Sequence, residues 1–127
     1  MSVVTNVILS GFAGCRPDFH RTVVDALNAF LSQRESPLGE LAQVDQHAGG
    51  RKAIECYVWM GAFNYLEIGE FVDVYQKSLG TITDPQTRPQ LLLKRQDDDK
   101  FYEVPNKDDY RTWHYREAAL DVLVVDE

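Results

Sequence analysis

The side chains of residues 51–65, RKAIECYVWMGAFNY, alternate in character, and this alternation constrains the fold more than any other stretch. One parity holds aliphatic residues and a cysteine: Ile54, Cys56, Val58 and Met60. The other parity holds a carboxylate and two large aromatics: Glu55, Tyr57 and Trp59. Because successive side chains of a β-strand point to opposite faces, the pattern predicts a strand with one face in a core. We expect the aliphatic parity to meet that core.

One helix is predicted before this strand, and another directly after it. The first begins at Pro17, a residue suited to a first helical turn, and ends before Pro37. Its apolar residues recur at helical spacing: Phe19, Val23, Ala26, Leu27, Phe30 and Leu31. The second helix carries a similar stripe: Ile68, Phe71, Val72, Tyr75 and Leu79. Asn64 and Glu67 are typical of a capping box at its start, and Gly80 fits a C-terminal cap.

The remaining apolar stretches predict strands. Residues 3–9 alternate and form a first strand, and residues 38–48 hold a short edge strand that pairs with the central one. Residues 90–96 and 101–104 flank a polar turn and predict a hairpin. A last helix at 108–119 and a short strand at 122–125 complete the chain.

The order of these elements predicts an α+β fold. It is a ferredoxin-like β-α-β-β-α-β two-layer sandwich with an appended β-hairpin strand and a C-terminal helix and strand extension. A chain of 127 residues suits a single domain over residues 1–127. In a two-layer fold both helices cover one face of the sheet. We therefore expect Tyr57 and Trp59 on the uncovered face, unless the C-terminal segment, with Trp113 and Tyr115, folds over them.

The charge balance narrows the expected partners. The chain has 13 basic and 20 acidic residues and a net charge of −7. Such a surface repels nucleic-acid phosphates and suits a basic protein partner. No apolar run approaches the roughly 18 residues that span a bilayer, and no basic segment precedes the first apolar one. We expect a cytoplasmic protein that does not bind membranes, with Cys15 and Cys56 reduced and Cys56 in the core.

The stretch from Cys15 to Thr22 superficially resembles the loop of cysteine-dependent phosphatases. Cys15 and Arg21 flank five residues between a strand and a helix, where a thiol is activated and an arginine clamps a phosphate. The interior of the loop argues against that chemistry, because it contains no glycine. In addition, Pro17 removes one N–H donor, and Asp18 places a carboxylate beside the anion. An enzyme acting on phosphate esters through Cys15 and Arg21 is therefore the alternative, and a free cysteine before a helix is the expectation.

No metal or cofactor site is expected. His20, His47 and His114 lack the spacing of ligands on one helix, and neither cysteine belongs to a CxxC pair. The contiguous Asp97–Asp99 stretch lacks the alternating ligands of a calcium loop, which favours a solvated turn. Gly11 and Gly14 fall short of either phosphate-loop pattern.

The densest group of aromatic residues provides the candidate binding site. These residues are the kind that dominate protein interfaces, and acidic residues follow them along the second helix. The predicted protein-binding set is Glu55, Tyr57, Trp59, Phe63, Tyr65, Glu67, Glu70 and Asp73. Single-stranded RNA stacking on such a sheet is disfavoured by the charge of the chain. Burial beneath the C-terminal segment is the other interpretation of these aromatics.

The leading hypothesis is a non-enzymatic interaction protein of the inhibitor, immunity or adaptor type. It would bind a protein partner, or a second copy of itself as a homodimer, through an aromatic sheet face with an acidic rim. A small enzyme and a small-ligand-binding domain, with its pocket between the sheet and the C-terminal segment, are the alternatives.

Overall fold

A computed structural model describes residues 3–12, 17–33, 37–80 and 89–105. The described residues form two helices, α1 (Pro17–Ser32) and α2 (Ile68–Leu79), and five strands. The strands are β1 (Val4–Phe12), β2 (Ala42–Gln43), β3 (Cys56–Asn64), β4 (Gln90–Arg95) and β5 (Tyr102–Val104). A 3₁₀ turn at Asp45–His47 follows β2. The helix and strand predicted at 108–119 and 122–125 lie outside the described residues.

The five strands form one antiparallel sheet in the order β2-β3-β1-β4-β5. The protein is therefore of mixed α+β class, and its described residues form a five-stranded antiparallel sheet and two helices. The long strands β1 and β3 are paired along their whole length, from Val4 opposite Asn64 to Phe12 opposite Cys56. The predicted edge strand pairs with β3, and the predicted hairpin is formed by β4 and β5.

The helices pack their apolar stripes into one core. The stripe predicted for α2 is confirmed, because each of its members is buried: Ile68, Phe71, Val72, Tyr75 and Leu79. Helix α1 buries Val23, Leu27 and Leu31 in the same cluster. The rings of Phe30 and Phe71 meet edge to face with centroids 6.1 Å apart, which joins the two helices.

The start of α2 differs from the predicted capping box. Asn64 is the last residue of β3, and its Oδ1 accepts a hydrogen bond from the Val3 N–H at 2.9 Å. The chain then reverses at Tyr65, whose φ of 57° lies in the left-handed region. Glu67 occupies the N-cap position without a side-chain capping bond. Asn64 is thus paired with β1, and its side chain bonds the backbone beside that strand rather than the first turn of α2.

The face of the sheet that meets the helices is set by the register between β1 and β3. Val7 and Leu9 of β1 are buried in the core, and Leu9 lies directly opposite Trp59. Directly opposed side chains in an antiparallel pair share one face. Trp59 therefore lies on the helix-covered face, and it packs against the core. The expectation that Tyr57 and Trp59 lie on the uncovered face is wrong.

The same register corrects the aliphatic parity of β3. Met60 is 41% exposed and Val58 is only half-buried, because both point away from the helices. Cys56 shares their parity and is half-buried rather than part of the core. Ile54 precedes the strand and is 43% exposed. Phe63, which is 2% exposed, instead supplies the buried face of β3.

Candidate functional site on the open face of the sheet

The predicted aromatic set does not form one exposed surface. Phe63 is buried, Trp59 packs against the core, and Tyr57 is half-buried on the same face. Tyr65, at 57% exposed, lies in the turn beyond β3. These four aromatics support the interior and one turn, so they offer no common docking face.

The predicted acidic rim is divided between separate parts of the molecule. Glu55 and Glu67 flank β3, a strand of nine residues that extends about 30 Å. Glu67 and Glu70 are exposed at the start of α2, in the layer that covers the opposite face. Asp73, further along α2, forms an ion pair with Lys77, with Oδ2 and Nζ 2.9 Å apart. The structure therefore does not bring these carboxylates together around the aromatic residues.

The face of the sheet turned away from α1 and α2 is the open face. In the described part of the chain, the buried residues of both helices and of the sheet belong to one cluster on the opposite face. The open face carries the alternate residues of each strand. Its centre is an apolar row that crosses four adjacent strands: Ala42, Met60, Ile8 and Leu92.

The members of this apolar row are in direct cross-strand register. Met60 lies opposite both Ala42 and Ile8, and Ile8 lies opposite Leu92. Ala42 and Met60 are exposed, whereas Ile8 and Leu92 are half-buried by their neighbours. Burial of such an apolar row would contribute favourable free energy that the row does not gain while it is exposed to water. What the open face can do chemically is bury apolar area against another surface.

Polar side chains lie on both sides of the apolar row. Asn6, from the next row, donates a hydrogen bond through Nδ2 to the Lys94 carbonyl oxygen at 3.2 Å. Near the β5 edge, the Gln90 Nε2 donates to the Glu103 Oε2 at 3.1 Å. Among the strand residues described on this face, Lys94 and Glu103 are the charged ones. The open face thus has an apolar centre and carries one positive and one negative charge.

The β2 edge of the open face is held in place by Asp45. Its Oδ1 accepts a hydrogen bond from the Val58 N–H at 2.9 Å, and its Oδ2 accepts one from the Gln43 Nε2 at 3.3 Å. Burial of the carboxylate, taken alone, would raise the pKa of Asp45. The hydrogen bonds from Val58, Gln43 and its own backbone outweigh that burial and hold the pKa below its usual value of 3.8. The ionised carboxylate therefore stabilises the junction between β2 and β3.

The described residues do not test the alternative that Cys15 and Arg21 act on phosphate esters. Cys15 lies outside them, and Arg21 is exposed on α1. Asp97–Asp99 belong to the connection between β4 and β5, as predicted. His47 is exposed in the turn after β2, whereas His114 and the side chain of His20 are outside the described part. In that part of the chain, no group of three or more His, Cys, Asp or Glu residues is arranged to hold a metal ion.

The sequence reasoning missed Ile8, Ala42 and Leu92, and it assigned Met60 to the core. A signal for Ile8 and Leu92 was present in β1 and β4, where both parities carry apolar residues: Val4, Val7, Ile8, Leu9, Leu91, Leu92 and Leu93. Strands that are apolar on both sides are typical of sheets covered on both faces.

No family model matches the sequence, and no curated protein or solved structure matches it either. Neither helix in the described residues has the length and apolar character needed to cross a bilayer.

Proposed function

We propose that the protein is a non-enzymatic interaction protein, of the inhibitor, immunity or adaptor type, that binds a protein through the open face of its sheet. The observation that carries this proposal is the apolar row formed by Ala42, Met60, Ile8 and Leu92 across four neighbouring strands. The proposal keeps the class of function expected from the sequence. It moves the binding surface from the aromatic parity of β3 to the opposite parity.

The energetic case rests on the exposed apolar area. Burial of apolar surface contributes about 25 cal/mol per Å², so about 200 Å² buried on this row would contribute about 5 kcal/mol before the costs of association. The flanking rows mix polar and apolar residues. One contains Asn6, Ala62 and Lys94, and the other contains Ser10, Val58 and Gln90. Their polar members suit the polar rim of a protein interface. Depletion of charge at the centre is also typical of such interfaces.

We further propose that the first four strands adopt the ferredoxin-like arrangement, with β5 added at one edge. Two split strand–helix–strand units support this arrangement. Strands β1 and β2, connected through α1, both pair with β3 between them. Strands β3 and β4, connected through α2, both pair with β1 between them. In this arrangement both helices lie on one side, which leaves the other side for a partner.

Site-specific photocrosslinking in the native host tests the proposed surface. A photoreactive amino acid replaces Met60 on the open face or, as a matched control, Ile54 in the loop before β3. The two positions are similarly exposed, at 41% and 43%. We expect protein adducts at position 60 and none of the same mass at position 54. Absence of any protein adduct at position 60, in a variant shown to be folded, would overturn the proposed function.

A further inference from the structure

We propose that the protein bound by the open face is a second copy of this chain, so that two sheets pack face to face in a two-fold dimer. This inference rests on the proposed function and names its partner. A two-fold contact uses the same patch on both subunits, so the patch must complement itself. An apolar row meeting its own copy satisfies that requirement without a second, differently shaped surface.

The distribution of charge favours a second copy over a basic partner. The chain carries a net charge of −7, yet the charged strand residues described on the open face, Lys94 and Glu103, cancel one another. A basic partner would be attracted to a face with surplus carboxylates, and the described strand residues of this face carry no surplus. Two copies of an acidic protein repel each other least where each presents a neutral surface. The open face is such a surface.

The carboxylates of α2 lie far apart in the proposed dimer. Sheets packed face to face are about 10 Å apart, and each helix layer lies about 10 Å beyond its own sheet. Glu67 and Glu70 belong to that outer layer in each copy. The two helix layers are then about 30 Å apart, which exceeds the Debye length of about 8 Å at physiological ionic strength. Repulsion between these groups therefore does not oppose the contact.

The size of the open face is sufficient for a reversible dimer. Strands β1 and β3 have nine residues each and extend about 30 Å. Five strands span about 19 Å across the sheet, and the outer strands are short, so the face offers on the order of 500 Å². Two such faces give about 1,000 Å² in total, which is the lower limit expected of a specific interface. We therefore expect a dimer that dissociates on dilution.

Sedimentation of the full chain tests the dimer. Over about a hundred-fold range of concentration, we expect the mass to rise from the 14.5 kDa of one chain toward twice that value. Met60→Lys places a charge in the centre of the row and should hold the mass at one chain throughout. Ile54→Lys adds the same charge at a similarly exposed site and should behave as the wild type. Ala42→Lys, at an exposed edge of the row, is a second variant whose fold is easy to preserve.

The outcomes separate this inference from the proposed function. A wild-type chain that stays monomeric at every concentration overturns the dimer, as does a Met60→Lys variant that dimerises normally. If the chain is monomeric but position 60 crosslinks to a different protein, the inference is wrong and the proposed function stands. Crosslinking of position 60 only to residues 106–127 of its own chain would overturn both, because the open face would then be occupied internally.

Discussion

The phenolic hydroxyl of Tyr75 donates a hydrogen bond to the carbonyl oxygen of Pro89 across 3.0 Å in the interior of the protein. The next residue of α2, Gln76, donates through Nε2 to the Pro105 carbonyl oxygen, also at 3.0 Å. Pro89 precedes β4 and Pro105 follows β5. Two consecutive side chains of one helix therefore hold both ends of the β4–β5 hairpin against the core.

Tyr75→Phe removes the first of these hydrogen bonds and keeps the ring. We expect the free energy of unfolding to fall by about 1–3 kcal/mol, because the bond is buried and the lost donor is not replaced by water. Urea titration followed by fluorescence measures the change. Tyr65→Phe is the matched control, since it removes the same atom from a ring that is 57% exposed. Equal stability of the two variants would mean that the Tyr75–Pro89 bond contributes nothing to holding the hairpin.

Gly61 is required because the ring of Phe63 occupies the space beside it. A Cβ at position 61 would lie 2.5 Å from Cζ and 2.9 Å from Cε2 of Phe63. Phe63 is only 2% exposed, so its ring has little room to move. Gly61→Ala should lower the free energy of unfolding by about 1–3 kcal/mol through overpacking.

Gly49→Ala is the control for this prediction. A Cβ at Gly49 would meet no atom within 4 Å. We expect its effect on unfolding to stay within about 0.5 kcal/mol, as for other exposed substitutions. If Gly61→Ala were as stable as Gly49→Ala, the close packing of Phe63 over Gly61 would not exist in solution.

Trp59 and Met60 are neighbours in sequence with opposite roles, since one packs against the core and the other lies on the open face. Trp59→Ala should destabilise the fold by about 3 kcal/mol, because a large ring leaves a cavity against the core. Met60→Ala should change stability of the monomer by less than about 1 kcal/mol and weaken dimerisation instead. Thermal unfolding at low concentration and sedimentation at high concentration separate the two effects. The opposite pattern would restore the aromatic parity of β3 as the binding face.

Much of the fold could be predicted from local patterns. The stripe of α2 from Ile68 to Leu79 repeats at helical spacing and is buried as the spacing indicated. The β4–β5 hairpin follows from two short apolar runs and the aspartates between them. Both signals come from residues that are close together in the sequence, so they do not depend on partners distant in sequence.

The face of β3 could not be predicted in the same way. Alternation separates Cys56, Val58 and Met60 from Tyr57 and Trp59, but it does not say which set faces the helices. That choice depends on β1, which is distant in sequence and places Leu9 opposite Trp59. Both parities of β3 contain apolar residues, so hydrophobicity alone did not decide between them. Tyr57 and Trp59 were consequently assigned to the uncovered face, whereas the register places them on the face that meets the helices.

We expect the carboxylate of Asp45 to make the stability of the fold depend on pH in the acid range. Its folded-state pKa is held below 3.8, so ionised Asp45 stabilises the fold above the unfolded pKa. That contribution is lost as the pH falls from about 5 through the lowered folded-state pKa. Asp45→Asn cannot ionise but keeps an oxygen that can accept the Val58 N–H. We expect the wild type to exceed Asp45→Asn in free energy of unfolding near neutral pH, and the two to converge in acid.

Asp45→Ala distinguishes this charge effect from loss of the hydrogen bond itself. The alanine variant leaves the part-buried Val58 N–H without its 2.9 Å partner at every pH. We expect it to be less stable than Asp45→Asn by about 1–2 kcal/mol, with a difference that does not change with pH. Urea titrations of the three proteins across the acid range measure both differences. Below both pKa values, Asp45 is protonated in the folded and unfolded states alike. A wild-type advantage over Asp45→Asn that persists undiminished in strong acid would therefore show that the ionised carboxylate is not its source.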